Sequence, residues 1–392
     1  MKRIYLDYAA TTPVDKRVEN AMRDFEMQYF GNPSSQHREG QIARAKIDFA
    51  RAEIGKFINA KPQELIFTSG ATEANNLAIQ GVVNYALNVL KIKPHIITTK
   101  LEHQSVYNVV KDLEGRGVIE ATFVSPNMEG MIEMNEIVSA IKDNTILVSV
   151  IFVSNEIGSV LPVREIGKHL SSIRTNKDAF KPVFHIDAVQ AAKFYNLNVE
   201  KLNGDLLTLS AHKVYGPKGI GALFVKNGLK LRNLMFGGSQ EYGLRPGTQN
   251  TTGIFGFAKA VELLGSLEVR QKQAQRISRL RDKLISEISK IKDVSLNGPL
   301  GEFRVADNIN FTIYDIDQDA LMTALDLAGI AASTGSACVS GSSERSHVIE
   351  ALGKIGTRQA ATIRFTIGVA TTPSDIKIAI KILNQIVKQL RK

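Results

Sequence analysis

Short β-branched runs alternate with longer amphipathic stretches to about residue 260, and this alternation constrains the fold of the chain more than any other feature. Strands are expected at Leu65–Thr68, His95–Thr99, Ile146–Val153, Val183–Ile186, Leu206–Ser210 and Ile220–Val225. Helical stretches such as Thr72–Asn84 and Val163–Ile173 lie between several of them. Apolar strands alternating with helices predict an α/β fold with a largely parallel sheet covered on both faces. The pattern then changes. Ile277, Leu280, Leu284, Ile288 and Ile291 recur at spacings of 3, 4, 4 and 3, with Lys and Arg between them. This predicts a long amphipathic helix that stops at the turn signal Asn297-Gly298-Pro299. A second αβ unit follows, with strands near Ile309–Ile313 and Thr362–Ile367 and a closing helix over Ser374–Leu390. At 392 residues the chain has length for two or three domains, or for one large domain and a smaller companion, and the boundary is expected near residue 260.

Composition excludes several classes. With 44% hydrophobic residues the chain can bury a sizeable core, so it is not a disordered protein. A net charge of +10 favours an acidic partner, nucleic acid or a phosphorylated ligand without choosing among them. The charges form no basic tail, so no direct contact with nucleic acid is expected. The single cysteine, Cys338, excludes an internal disulfide framework and an all-cysteine zinc site, and suits a reducing compartment. The apolar run Ile146–Val153 is far shorter than the ~20 residues that span a bilayer. Asp7 interrupts the start too early for a signal peptide, so a cytoplasmic protein without membrane contact is expected.

Five segments hold residues able to do chemistry. Ser69-Gly70-Ala71-Thr72-Glu73-Ala74 follows a strand and opens a helix, which makes either a phosphate seat or an ordinary capped helix start. No Walker A or GxGxxG pattern accompanies it. His185-Ile186-Asp187 closes an apolar strand, at the end where α/β sheets place ligands. Asp187 is there either a solvated loop residue or a carboxylate aimed into a cleft. Lys213 lies where the strand ending at Ser210 gives way to a Gly/Pro turn; it is there either an ordinary surface charge or, if partly buried, a nucleophile able to form a Schiff base. Lys218, deeper in the turn, reads as solvent-facing. Cys338 sits in a loop of five serines and two glycines over 333–343, a setting that suits a reactive thiol as well as a small buried hydrophobe. No histidine has metal-ligand spacing, so no metal is expected. In Thr362-Ile363-Arg364-Phe365-Thr366-Ile367 the alternation puts Arg364 opposite the apolar face, as a solvated edge-strand residue or a fork for a carboxylate.

Taken together, these segments resemble the cysteine desulfurases, pyridoxal-phosphate enzymes of the class V aminotransferase group. The matches run from Tyr5-Leu6-Asp7-Tyr8-Ala9-Ala10-Thr11-Thr12-Pro13 and Gly31-Asn32-Pro33-Ser34-Ser35 through Phe67 to Glu73 and Glu102-His103. They continue through Asn155-Glu156-Ile157-Gly158, His185 to Gln190, Ser210 to Gly221 and Arg245-Pro246-Gly247-Thr248, and end at Gly335 to Cys338 and Ile363-Arg364-Phe365. The resemblance implies a fold-type-I aminotransferase. Its large cofactor-binding domain would cover 14–260, and a smaller α/β domain, carrying the cysteine loop, would cover 1–13 and 261–392.

It also implies roles. Lys213 would carry pyridoxal 5'-phosphate, Asp187 would keep the pyridine nitrogen protonated, His103 would stack on the ring and handle protons, and Gln190 would bond the phenolic oxygen. The phosphate would be held by Ala71, Thr72, Ser210 and His212, with Thr248 reaching across from a second subunit of a homodimer. Asn155 and Arg364 would hold the substrate, L-cysteine. Cys338 would take the sulfur as a persulfide, releasing L-alanine, and pass it to an acceptor protein such as an iron–sulfur scaffold or a thiolation enzyme. The unshortened cysteine loop resembles the group that serves iron–sulfur assembly and tRNA thiolation. After it, Ser343-Glu344-Arg345-Ser346-His347 departs from the Leu-Glu-Pro-Ser-Tyr of many relatives. A selenocysteine lyase or another class V aminotransferase is the alternative; a plain aminotransferase has no need of Cys338.

Overall fold

The computed structural model describes residues 3–173, 182–335, 346–355 and 358–391. The first half runs β1 (Ile4–Tyr5), α1 (Lys16–Gln28), α2 (Arg38–Ile58), β2 (Leu65–Thr68), α3 (Ala71–Tyr85), β3 (His95–Thr99), α4 (Gln104–Gly115), β4 (Glu120–Val124), α5 (Met134–Ser139) and β5 (Thr145–Ile151). There follow α6 (Val163–Ile173), β6 (Val183–Asp187), α7 (Val199–Leu202), β7 (Leu206–Ser210), β8 (Gly221–Val225), α8 (Thr251–Leu264) and α9 (Leu267–Ile288). The last part contains β9 (Val294–Leu296), β10 (Asn308–Tyr314), α10 (Gln318–Leu327), β11 (Ile330–Ala331), α11 (His347–Ala351), β12 (Ala360–Thr366) and α12 (Pro373–Leu390).

Seven strands form one sheet in the order β2-β8-β7-β6-β5-β3-β4. Only β8 is reversed: it is antiparallel to both β2 and β7, and the remaining pairs are parallel. The C-terminal ends of the other six strands therefore share one edge, where open α/β sheets collect their ligands. Strands β2, β3, β5, β7 and β8 are buried at every residue, the burial of a sheet covered on both faces. Helix α8 packs on α1 and α2.

A second sheet, β12-β10-β9, is antiparallel, and α9 and α10 pack on its strands, with α12 against both helices. The long amphipathic helix ends sooner than its periodicity predicts. It stops at Ile288, and Val294–Leu296 instead forms the edge strand β9. Ile291 keeps its apolar contact without being helical, because it packs against the core from the connecting turn. Two short contacts anchor the chain's beginning, the second of them to this sheet. Strand β1 pairs with β11, and Asp7 bridges to Thr366. Among the described residues no helix is long and apolar enough to cross a membrane.

Candidate active site

The C-terminal ends of β2, β3, β5, β6 and β7, together with β12 and residues 9–11, line a cavity of about 560 Å³, a volume within the range of small-molecule sites. Asp187 is the last residue of β6, Ser210 the last of β7, and Lys213 lies in the turn after it. His103 follows β3 by four residues, and Asn155 follows β5 by the same number. Ala71 and Thr72 open α3 beyond β2. Arg364 comes from β12 of the second sheet. All of these line the cavity, with Gln190 and His212. Thr248 is exposed and outside the cavity wall of its own chain. Cys338 lies outside the described residues.

The start of α3 is not capped in the ordinary way. Its N-cap is Gly70, which has no side chain to offer, and Glu73 is turned back to Ser69 N–H (2.6 Å) and Arg245 Nε (2.8 Å). First-turn amides are thus left for an anion. Gly221 stands beside this turn because a side chain there would meet the backbone of Gly70 at 2.7 Å. Ser210 Oγ and Asn155 Oδ1 are buried without a hydrogen-bond partner among the described residues. A cavity lined by unmet polar atoms, free helix-start amides and an amine suits a phosphorylated carbonyl compound, so the residues fit pyridoxal phosphate.

Asp187 is buried at 3% exposure, which removes the solvated reading. Its Oδ2 accepts from Asn75 Nδ2 (2.9 Å) and its Oδ1 from Val189 N–H (3.0 Å). Behind it, His185 bonds Ser149 Oγ (2.8 Å) and Thr208 Oγ1 (3.0 Å), and burial pushes its pKa down to about 4. Lys213 Nζ donates to the carbonyls of Ala9 (2.6 Å) and Ala10 (2.7 Å). Gln190 Nε2 donates to Ala9 O as well (3.0 Å), and His212 Nδ1 meets Thr11 Oγ1 at 3.2 Å. Burial, with Lys213 and Lys218 adding to it, lowers the His212 pKa to about 4, so its ring is neutral near pH 7. Lys218 is exposed, as expected, yet stands at the cavity mouth.

Arg364 is 1% exposed, the largest fully buried side chain, so it is not a solvated edge-strand residue although β12 is an edge. The face opposite its apolar neighbours is covered by the chain's beginning and by residue 155. Nη2 donates to Asp7 Oδ1 (2.9 Å), and Nη1 donates to the carbonyls of Asn155 (2.9 Å) and Gly335. Its Nε is buried without a partner among the described residues.

Several site residues had no role assigned from sequence. Glu102, fully buried, accepts from Thr99 Oγ1 (2.7 Å) and Ile151 N–H (2.9 Å) through one carboxyl oxygen. Burial, with Asp187 adding to it, pushes its pKa up to about 8. Glu156, also buried and raised by desolvation, lines the cavity and accepts from Ser346 Oγ (2.5 Å). Gly335, at φ +116°, lies against the same carboxyl: a Cβ there would be 3.0 Å from Glu156 Oε2. Asn75 and Ser105 form a bridge behind His103. Each belongs to or adjoins a motif, but only their long-range neighbours show why they are polar and buried.

The aminotransferase class-V model matches residues 4–378. The cysteine desulfurase IscS of Dictyoglomus turgidum is 45% identical over 100% of this chain and 96% of its own length. A NifS-like protein of known structure superposes with a TM-score of 0.89 at 32% identity, covering 99% of this chain and 100% of that one. SspA, solved in complex with cysteine, superposes with a TM-score of 0.78 at 35% identity over 93% of this chain and 98% of its own. The sheet order, the site at its C-terminal edge and these full-length matches agree: the chain belongs to the class-V aminotransferase family and stands within it beside the cysteine desulfurases.

Proposed function

We propose that the chain is a pyridoxal-phosphate-dependent cysteine desulfurase that converts L-cysteine to L-alanine and holds the sulfur as a persulfide on Cys338. The observation that carries this reading is the convergence of Lys213, Asp187, His103 and Arg364 on one cavity from four separate elements. Lys213 holds the cofactor aldehyde, Asp187 the pyridine nitrogen and Gln190 the phenolic oxygen. The uncapped amides at Ala71 and Thr72, with Ser210 and His212, hold the phosphate. When bound, pyridoxal phosphate supplies the electron sink that stabilises negative charge on the substrate carbons.

The protein's own groups do the rest. Arg364 and Asn155 fix the substrate, the guanidinium taking its carboxylate. The Lys213 amine removes the α-proton. The Cys338 thiolate attacks the substrate sulfur; an S–S bond forms as the substrate Cβ–S bond breaks, and Cβ takes up a proton while Cα regains the one it lost, giving alanine. Gly335, the last described residue before Cys338 in sequence, accepts from Arg364, the group assigned to the substrate carboxylate. Thr248, exposed on its own chain, completes the phosphate seat of a second subunit in a homodimer. The acceptor of the sulfur is a protein, such as an iron–sulfur scaffold or a thiolation enzyme, met in the cytoplasm.

Borohydride reduction followed by peptide mapping tests the reading. The cofactor should be tethered at Lys213, and Lys213→Ala should abolish cysteine breakdown. Cys338→Ser should still take up cofactor and substrate but form no persulfide; normal sulfur delivery by that variant refutes the assignment.

A further inference from the structure

His103 is held by a one-way chain of hydrogen bonds. Asp187, as a carboxylate, can only accept, so the 2.9 Å contact with Asn75 Nδ2 runs from the amide to Oδ2. This settles the orientation of the Asn75 side chain, since the flipped amide would set its oxygen against a negative charge. The second Asn75 N–H points to Ser105 Oγ at 2.8 Å, so that oxygen accepts. The Ser105 hydroxyl hydrogen is then available to His103 Nδ1, also at 2.8 Å. Ser105 N–H donates to the same ring nitrogen at 3.1 Å, as part of the cap that His103 makes on α4. A backbone N–H cannot reverse its direction, so Nδ1 is an acceptor and carries no proton.

Burial holds the imidazole below an ordinary histidine, with Lys213 and Arg364 adding to the effect and Asp187 opposing it. Glu102 beside it, and His212 and His347 from the turn after β7 and from α11, complete the titratable surroundings. The neutral ring has one proton to place, and Nδ1 is closed to it.

Building on the function proposed above, we infer that Asn75 and Ser105 are positioning residues that keep His103 in its Nε2–H form, so that His103 enters the reaction as a hydrogen-bond donor and not as the base that removes the α-proton. Nε2 makes no hydrogen bond to the described residues, and His103 lines the cavity, so this N–H is offered to whatever occupies it. An Nε2 already protonated cannot accept a proton from substrate. An amide and a hydroxyl give up no proton near pH 7, so the chain through Nδ1 cannot reload the ring. Proton removal falls to Lys213.

The tautomer is measurable without turnover, by long-range ¹H–¹⁵N correlation on the holoenzyme labelled at histidine nitrogen, with the His103→Gln spectrum identifying the signal. The expected result is a protonated Nε2 and a bare Nδ1 at pH 7; a proton on Nδ1, or an imidazolium, overturns the inference. Kinetics gives a second reading. The glutamine amide can stand in for Nε2–H but has no basicity, so His103→Gln should keep cysteine turnover within ~10-fold of wild type while His103→Ala loses ~100-fold or more. Equal loss in the two variants overturns the donor role. Failure of the broader functional reading would show separately, as cofactor bound away from Lys213.

Discussion

Glu102→Gln isolates the cost of a buried carboxyl at the edge of this site. In the folded chain the group titrates near pH 8, against 4.5 for an exposed glutamate. A raised carboxyl pKa means the folded state holds a proton that the unfolded chain has already released, so stability falls as pH rises from about 4.5 towards 8. One pH unit is worth about 1.4 kcal/mol. The penalty is therefore under ~1 kcal/mol at pH 5, roughly 3 kcal/mol at pH 7, and near its limit of roughly 5 kcal/mol above pH 8. Glutamine keeps an oxygen for Thr99 and Ile151 and does not ionise. Its amide nitrogen replaces an oxygen that is already buried without a partner among the described residues, a fixed cost of about 1 kcal/mol that does not change with pH. The assay is thermal unfolding of wild type and variant, both saturated with cofactor, at pH 5, 7 and 8. The Tm difference should move in favour of the variant by several degrees between pH 5 and pH 8. A difference that stays level, or moves the other way, would show that Glu102 is ionised in the folded protein and refute the reasoning.

Two further perturbations probe other parts of the site's frame. Arg364→Lys keeps the charge but cannot serve Asp7, Asn155 and Gly335 at once; steady-state kinetics should show kcat/KM for cysteine down ~10–100-fold, mostly through KM. Arg51 and Glu241 form a bidentate pair at 2.7 and 2.8 Å, both nearly sealed from water. Glu241→Ala alone should cost about 3–5 kcal/mol in denaturant unfolding, and replacing both partners by apolar residues should cost less than that.

The strands β2, β3 and β7 coincide with the runs read from sequence, because each is a short apolar stretch between turn signals. β4 has no such signal: Glu120–Val124 lies at the sheet edge with four half-buried residues, and only pairing with β3 makes it a strand. β9 is obscured by the opposite effect. Ile291 continues the helical spacing of α9, but pairing with β10 takes the next residues into the sheet. The glycine-capped start of α3 also diverged from its letters, which equally allow a serine or threonine cap.

Local sequence was enough to place Lys213 after a buried strand, Asp187 at the end of another, and Arg364 off the apolar face of a third, since side-chain direction follows from strand alternation alone. It could not say that the far side of β12 is covered. Asp7 lies 357 positions from Arg364, and Asn75 lies 112 from Asp187. Which polar groups lose their water, which of them find donors, and where a histidine proton must sit are settled by neighbours that only the folded chain brings within 3 Å. Desolvation and hydrogen bonding act over that short distance, whatever the separation along the sequence.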